Sequence, residues 1–350
     1  MEFLSDYGLF LAKVLTFLAA IVVVIVLAGS AIQRSRGEGD DEGELTVRRL
    51  NDKYRRLREA IESRMLAPEQ RKIWNKARQK AEKAAKKVGK GKNSGEDQRP
   101  RTFVIDFHGD IRASDTETLR KSVTAVLAVA QPGRDEVVVR LESGGGLVHA
   151  YGLAAAQLDR IRSKGIRLTA CVDKVAASGG YMMACVADRI IASPFAVLGS
   201  IGVVAQLPNF HRMLKKHDVD YEILTAGEHK RTLTIFGENT ETGRRKFLED
   251  LEDTHDLFKD YVSERRAGLD MKQVANGDIW FGTRALEMKL IDEIRTSDEY
   301  LIDACERSDV VAVSFRRKRT LPEKLGLAAS AALEATVWRV LSAFRNQNLQ

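Results

Sequence analysis

Hydrophobic and polar positions alternate along the chain with several distinct rhythms. Residues 8–32 are almost wholly apolar, Lys13 being the one charge, and residues 14–32 carry none. An uncharged run of that length spans a bilayer as a helix. The rival is a cleaved signal peptide, which calls for a basic start and a shorter apolar stretch. Glu2 and Asp6 precede the run, so an uncleaved anchor is expected, although Ala28-Gly29-Ser30-Ala31 has the small residues of a cleavage site. Residues 37–44 are rich in Gly, Asp and Glu and read as a linker. Residues 45–88 have few β-branched residues and many Lys, Arg, Ala and Glu, with Leu50, Tyr54, Leu57 and Ile61 at helical spacing. Pro68 is placed to open a second helix holding Ile73 and Trp74. Residues 89–100 read as a second linker.

From Arg101 the rhythm changes. Residues 102–107 read as a strand, 119–130 as a helix, 136–141 as a buried strand, 151–164 as a helix and 166–172 as a strand. A helix over 181–187 and a short strand over 189–192 follow. This alternation implies βαβ crossovers and mostly parallel pairing, an α/β body. Long amphipathic helices are expected over 241–266 and 325–344. There is no internal repeat, so one catalytic unit is expected.

The length of 350 residues suits one or two domains with a sizeable core. The net charge of +7 is unevenly placed. Residues 48–92 carry 17 Lys and Arg against 5 Asp and Glu, a net +12, which leaves −5 for the remainder. The basic stretch is either a solvated helical stalk or a contact for anionic lipid. Nucleic acid is disfavoured as a partner, since no aromatic platform or known recognition fold accompanies the charge. Cys171, Cys185 and Cys305 fit no zinc or redox spacing and read as buried thiols.

Candidate chemistry centres on Ser178, in Val175-Ala176-Ala177-Ser178-Gly179-Gly180-Tyr181. Small neighbours permit a sharp strand-to-helix turn, and Gly179 lets a carbonyl approach its backbone N–H. Taken alone, Ser-Gly-Gly is equally a plain turn. Glu142-Ser143-Gly144-Gly145-Gly146 follows an apolar strand and exposes further backbone amides. No Gly-Lys-Ser/Thr follows it, so a phosphate loop is excluded. The base is not chosen by the residues themselves. The histidines are His108, His149, His211, His217, His229 and His255, and His217 and His255 sit in charged helical stretches that suggest solvation. Lys230, 52 residues after Ser178, is a rival. An ordinary exposed lysine, with a pKa of about 10.4, is neutral in roughly one molecule in 2,500 at pH 7, and base catalysis asks for about 4 kcal/mol of help.

Four segments, in order and spacing, change this balance. They are Arg140-Leu141-Glu142-Ser143-Gly144-Gly145-Gly146, the stretch from Val172 through Ser178 to Asp188, Gly199-Ser200-Ile201-Gly202-Val203, and Thr225-Ala226-Gly227-Glu228-His229-Lys230-Arg231. From about Arg101 to Ser297 the chain resembles the S49 peptidases, the family of signal peptide peptidase A and SohB, with the likeness extending toward the SohB branch through the N-terminal anchor and stalk. The resemblance implies a ClpP/crotonase-like fold of repeated ββα units, preceded by a transmembrane helix and a basic helical stalk. It implies Ser178 as nucleophile, Lys230 as general base, Ser200 as the serine that orients the lysine, and Gly146 and Gly179 as oxyanion donors. The family usually has Ser-Pro-Gly-Gly where this chain has Ser143-Gly144-Gly145-Gly146, which frees the backbone at 144. A histidine of the ClpP type would fall 25 residues after Ser178, where this chain has Val203.

The expected organisation is an anchor over 1–36, a linker and stalk over 37–100, a catalytic domain over 101–300, and a C-terminal strand and amphipathic helix over 301–350. The expected activity is peptide-bond hydrolysis through an acyl-enzyme, needing no metal or cofactor, on peptides or signal-peptide-like segments. Expected partners are the peptide substrate, membrane lipid through the N-terminal helix, and further copies of the chain. The expected location is the bacterial inner membrane, crossed once. The flanking charges do not choose a side: Lys and Arg after the span favour a cytoplasmic body, while Glu38, Asp40, Asp41, Glu42 and Glu44 oppose it. The alternatives are a non-cutting peptide-binding scaffold and a crotonase-like acyl-CoA enzyme, in which the serine and lysine would be coincidental.

Overall fold

The structure is a computed structural model, and it describes residues 43–89, 99–227 and 229–316. The apolar run at 8–32 and the amphipathic stretch at 325–344 lie outside the described residues. Among the described residues no helix is long and apolar enough to cross a membrane. Leu45–Phe315 packs as one compact unit.

Its centre is a sheet built on β2 (Arg101–Gly109), β3 (Glu136–Ser143), β4 (Arg167–Val172), β6 (Arg189–Ala192) and β10 (Asp309–Arg316). With β1 (Glu44–Arg49) and β9 (Glu293–Ile294) the order is β1-β10-β2-β3-β4-β6-β9, and the run from β10 to β9 is parallel. Both faces are covered, which is why these strands read as near-continuous apolar runs. Phe103, Ile105 and Phe107 of β2 join Val137, Val139 and Leu141 of β3 in one core. That core is roofed by α3 (Thr116–Leu127) and α4 (Val148–Ser163), which contribute Leu119, Val123, Tyr151 and Leu158. Val104, Val138 and Cys171 point to the opposite face, as a two-residue period requires. There they meet Tyr300, Leu301 and Ala304 of α10 (Ser297–Arg307).

The sheet divides beyond the middle of β3. Glu136 to Arg140 pair with β4, but Ser143 pairs with Ala176 of β5 (Val175–Ala177). β5 runs parallel to β7 (Val197–Gly199), and β7 is antiparallel to β8 (Ile279–Phe281). This side branch carries the serine turn.

The expected elements from 101 to 192 are present, with shifted ends. The helix expected over 151–164 starts at Val148, and the one expected over 181–187 is α5 (Gly179–Ala184), beginning immediately after Ser178. The 241–266 helix is α7 (Glu241–Arg265), capped by Thr240, whose side chain accepts from the Gly243 N–H. The five-residue stretch at 45–49, expected as helix, is strand β1 instead. Pairing with β10 decides its conformation over local composition. The two helices expected after it are α1 (Leu50–Met65) and α2 (Pro68–Gly89). The short helices α6 (His211–Lys216), α8 (Met271–Val274) and α9 (Gly282–Glu287) complete the described set.

Candidate active site

Ser178 is the residue after the last position of β5, and Ser200 the residue after the last position of β7. Ala177 pairs with Gly199 in the parallel register, so the two serines leave the sheet side by side, about one strand spacing of 4.8 Å apart in the pairing direction. The Ser178 N–H donates to the Gly199 carbonyl at 2.8 Å. The Ser200 N–H donates to the Asp278 carbonyl at 2.7 Å. Both serines have positive φ, 52° for Ser178 and 50° for Ser200. Such a conformation in a side-chain-bearing residue costs roughly 1–3 kcal/mol and survives only where the surroundings impose it.

The glycine loop is pressed against this turn. Gly145 has φ of 89°, and a Cβ there would lie 2.7 Å from both the Ser178 Cβ and the Gly179 nitrogen. Gly179 abuts the ring of Tyr151, whose Cγ a Cβ would meet at 2.4 Å. Tyr151 is fully buried on α4 and holds the loop by a relay. The Gly145 N–H donates to Ser143 Oγ at 3.1 Å, Ser143 shares a 2.5 Å bond with the Tyr151 hydroxyl, and that hydroxyl donates to the Asp110 carbonyl at 2.7 Å. Burial raises the Tyr151 pKa, so the phenol keeps its proton. The Leu147 N–H is taken by the Ile111 carbonyl. The Gly146 N–H between them has no acceptor among the described residues. Gly179 occupies the first position of α5, where helical geometry supplies no acceptor for its N–H.

Ser178, Gly179 and Gly146 line one small cavity of about 20 Å³, with Val148, Met182, Gly202, Val203, Thr254 and Phe258. Its side-chain walls are apolar except for Ser178 and Thr254. A larger groove of about 1180 Å³ lies elsewhere, along the starts of β2, β3, β4 and β6, at the other end of the strands from the serine. Among the described residues no group of His, Cys, Asp and Glu is placed to hold a metal ion. Cys171 and Cys185 are buried, and burial pushes the Cys185 thiol up to about 12, so neither is a nucleophile at neutral pH.

Lys230 stands elsewhere. It is exposed, in an irregular stretch between β7 and α7, and does not line the Ser178 cavity. Its N–H closes a turn onto the Gly227 carbonyl at 3.2 Å. The same stretch between β7 and α7 also leaves Val204, Met213, Tyr221 and Leu224, all large apolar side chains, open to solvent.

Two contributors escape the sequence pattern. Tyr151 carries no signal beyond its place on an apolar helix face. His255, expected to be solvated, is half-buried, and its Nε2 lies 3.2 Å from the Ile201 carbonyl. It ties α7, which brings Thr254 and Phe258 to the cavity, to the loop that carries Ser200. Its position depends on a contact 54 residues away in sequence, which local composition does not record.

Comparison with known proteins places most of the chain in one family. The profile described as Peptidase family S49 N-terminal matches residues 2–158, and that described as Peptidase family S49 matches residues 160–310. A probable protease SohB of Haemophilus influenzae is 47% identical over 333 residues, covering 94% of this chain and 93% of that protein. A putative protease SohB of Buchnera aphidicola subsp. Baizongia pistaciae is 41% identical, covering 98% of this chain and 99% of that protein. Protease 4 of Haemophilus influenzae is 25% identical over 203 residues, 56% of this chain and 33% of that protein. With both profiles matched in sequence and relatives aligned over nearly their full length, the chain belongs to peptidase family S49.

Proposed function

We propose that this peptidase is a serine endopeptidase working through a Ser178–Lys230 dyad, held at the bacterial inner membrane by its apolar N-terminal run. The observation that carries the reading is the paired exit of Ser178 and Ser200 from β5 and β7, both at positive φ, against a glycine loop that shares a cavity with Ser178. Strain of this kind marks residues whose position serves chemistry. The division of the sheet after β3, with β4–β5–α5 as a strand–strand–helix unit, supports the ClpP/crotonase-like reading.

In the proposed reaction the neutral Lys230 amine takes the Ser178 Oγ proton as Oγ bonds to the scissile carbonyl carbon. The carbonyl electron pair moves to oxygen, where the Gly146 and Gly179 N–H groups receive it. Collapse breaks the C–N bond, and the Lys230 ammonium gives its proton to the departing amine. Water, deprotonated by the same amine, then cleaves the ester and returns the proton to Ser178. Ser200 accepts a hydrogen bond from the lysine and orients it.

An amine in open water is a poor base at neutral pH. The exposed apolar side chains of its segment suggest how water could be kept from Lys230. A second copy of the chain, or substrate, that covers Lys230 along with this segment's exposed Val204, Tyr221 and Leu224 would remove water from the amine and favour its neutral form. A homo-oligomer is therefore part of the proposal. The cavity beside Ser178 favours small apolar side chains at the cut site, as signal-peptide-like segments present.

The test is labelling by a serine-directed fluorophosphonate. Wild type should label and Ser178→Ala should not; equal labelling of both defeats the assignment. Lys230→Ala should fold, assemble and lose turnover on casein or a membrane-derived peptide. Turnover retained in that variant removes the lysine from the mechanism. A protein that binds peptide without cutting it in any form is the scaffold of the alternative reading.

A further inference from the structure

The first half of α1 is fixed to the body. Leu50 and Tyr54 pack on the Val104–Tyr300 core. The Asn51 side chain donates to the Cys305 and Ser308 carbonyls at 3.1 and 3.0 Å and accepts from the Val310 N–H at 2.8 Å. The same helical stripe then runs on past the body. Leu57, Ile61 and Met65, four residues apart, are 54%, 63% and 81% exposed, rising toward the tip. Arg58 and Arg64 border this stripe on either side by helical geometry. The next helix folds back, since Arg78 of α2 reaches Glu59 of α1 at 2.9 Å, and it brings Ile73, 71% exposed. Residues 50–89 hold 13 Lys and Arg against 5 Asp and Glu, a net +8. Among the described residues Arg58, Arg64, Arg71, Lys72 and Lys76 form no ion pair.

We infer that this helical hairpin is a docking surface for a bilayer rich in anionic phospholipid, with Leu57, Ile61 and Met65 entering the headgroup region. An apolar ridge bordered by guanidinium groups is the signature of a helix lying in a membrane interface. The charge selects the occupant. A second hairpin of the same sign is repelled, whereas an anionic surface gains from every basic side chain, each raising the docked-to-free ratio roughly fivefold. Asn51 fixes the direction in which the hairpin leaves the body, so docking would also fix how the body stands at the surface. The inference adds lipid selectivity to the anchoring proposed above and does not depend on the catalytic assignment.

The experiment uses the full chain carrying Cys305→Ser and Met65→Cys, labelled at position 65 with a polarity-sensitive fluorophore. The chain is reconstituted into vesicles of phosphatidylcholine alone or with added phosphatidylglycerol. Flotation with the phosphatidylcholine vesicles reports the anchor separately. Emission should shift to the blue with phosphatidylglycerol, stay at its aqueous position without it, and return toward that position in high salt. Arg58→Glu with Arg64→Glu and Lys72→Glu should lower the docked-to-free ratio more than about a hundredfold. Emission that ignores phosphatidylglycerol overturns the inference. So does a blue shift that is equal in both vesicles, or that survives the charge reversals; either points to a protein partner or a second copy on the ridge.

Discussion

Ser143 and Tyr151, eight residues apart, share a buried 2.5 Å hydrogen bond that joins the glycine loop to the helix beneath it. The bond is one link between the Gly145 N–H and the Asp110 carbonyl. Tyr151→Phe keeps the ring against Gly179 but leaves the buried Ser143 O–H without its acceptor, while the Asp110 carbonyl keeps the Ala113 N–H. Leaving buried polar groups unpaired costs about 1–3 kcal/mol. Urea unfolding should show a loss of that size, with kcat falling more than KM rises because the oxyanion loop loosens. A variant with unchanged stability and turnover would show that the relay is incidental.

Ser178→Gly should abolish turnover and yet stabilise the fold by on the order of 1 kcal/mol, since glycine accepts the +52° φ that strains serine. A higher melting temperature in an inactive variant is the expected pairing. A lower one would mean that the Ser178 side chain contributes more to packing than its backbone costs.

Gly144 is different from its neighbours. A Cβ there meets nothing within 4 Å, and its φ is not positive. Gly144→Ala should therefore stabilise by about 0.4–1 kcal/mol, by narrowing the unfolded ensemble. Thermal unfolding checks this directly, and unchanged fluorophosphonate labelling would show that the loop keeps its shape.

The cavity beside Ser178 is closed on one side by Met182, which is 7% exposed. Met182→Ala should shift the preferred side chain at the cut site from alanine toward leucine, read as a reversal of the kcat/KM ratio for matched peptides. The stability cost should be about 2–5 kcal/mol. An unaltered preference would place the specificity pocket elsewhere.

Asp135 links stability to pH. Burial alone would raise its pKa, but the Arg101 guanidinium and the N–H groups of Gln131 and Arg101 outweigh burial and hold it below the usual carboxylate range. Folding thus favours the ionised form. Its contribution is complete above the ordinary carboxylate range and drains away as pH falls through the lowered folded value. Asp135→Asn should cost about 3 kcal/mol at pH 7, and the gap from wild type should narrow in acid. A gap independent of pH would contradict the ion pair.

The βαβ core was readable because the central stretches of β2, β3 and β4, Phe103–Ile105, Val137–Val139 and Ala170–Val172, are buried on both faces and apolar. The serine turn was readable because only small residues allow it. Residues 45–49 misled because Leu45 and Val47 sit in a basic, helix-rich stretch, and β1 exists through its partner β10. Tyr151 and His255 act through contacts made only when distant elements meet. Lys230 is the limiting case: its segment is legible as a family motif, while the structure leaves the side chain exposed and away from the cavity that Ser178 lines.

β10 sits between β1 and β2, with Val310 wholly buried, although it is the last strand described. Its register partner Arg101 is made some two hundred residues sooner. The nascent body therefore waits with an open seam along β2 until this late strand leaves the ribosome and slides in. Any cut or stop codon ahead of Asp309 would leave that seam unsealed, a sticky edge for aggregation or for quality-control proteases.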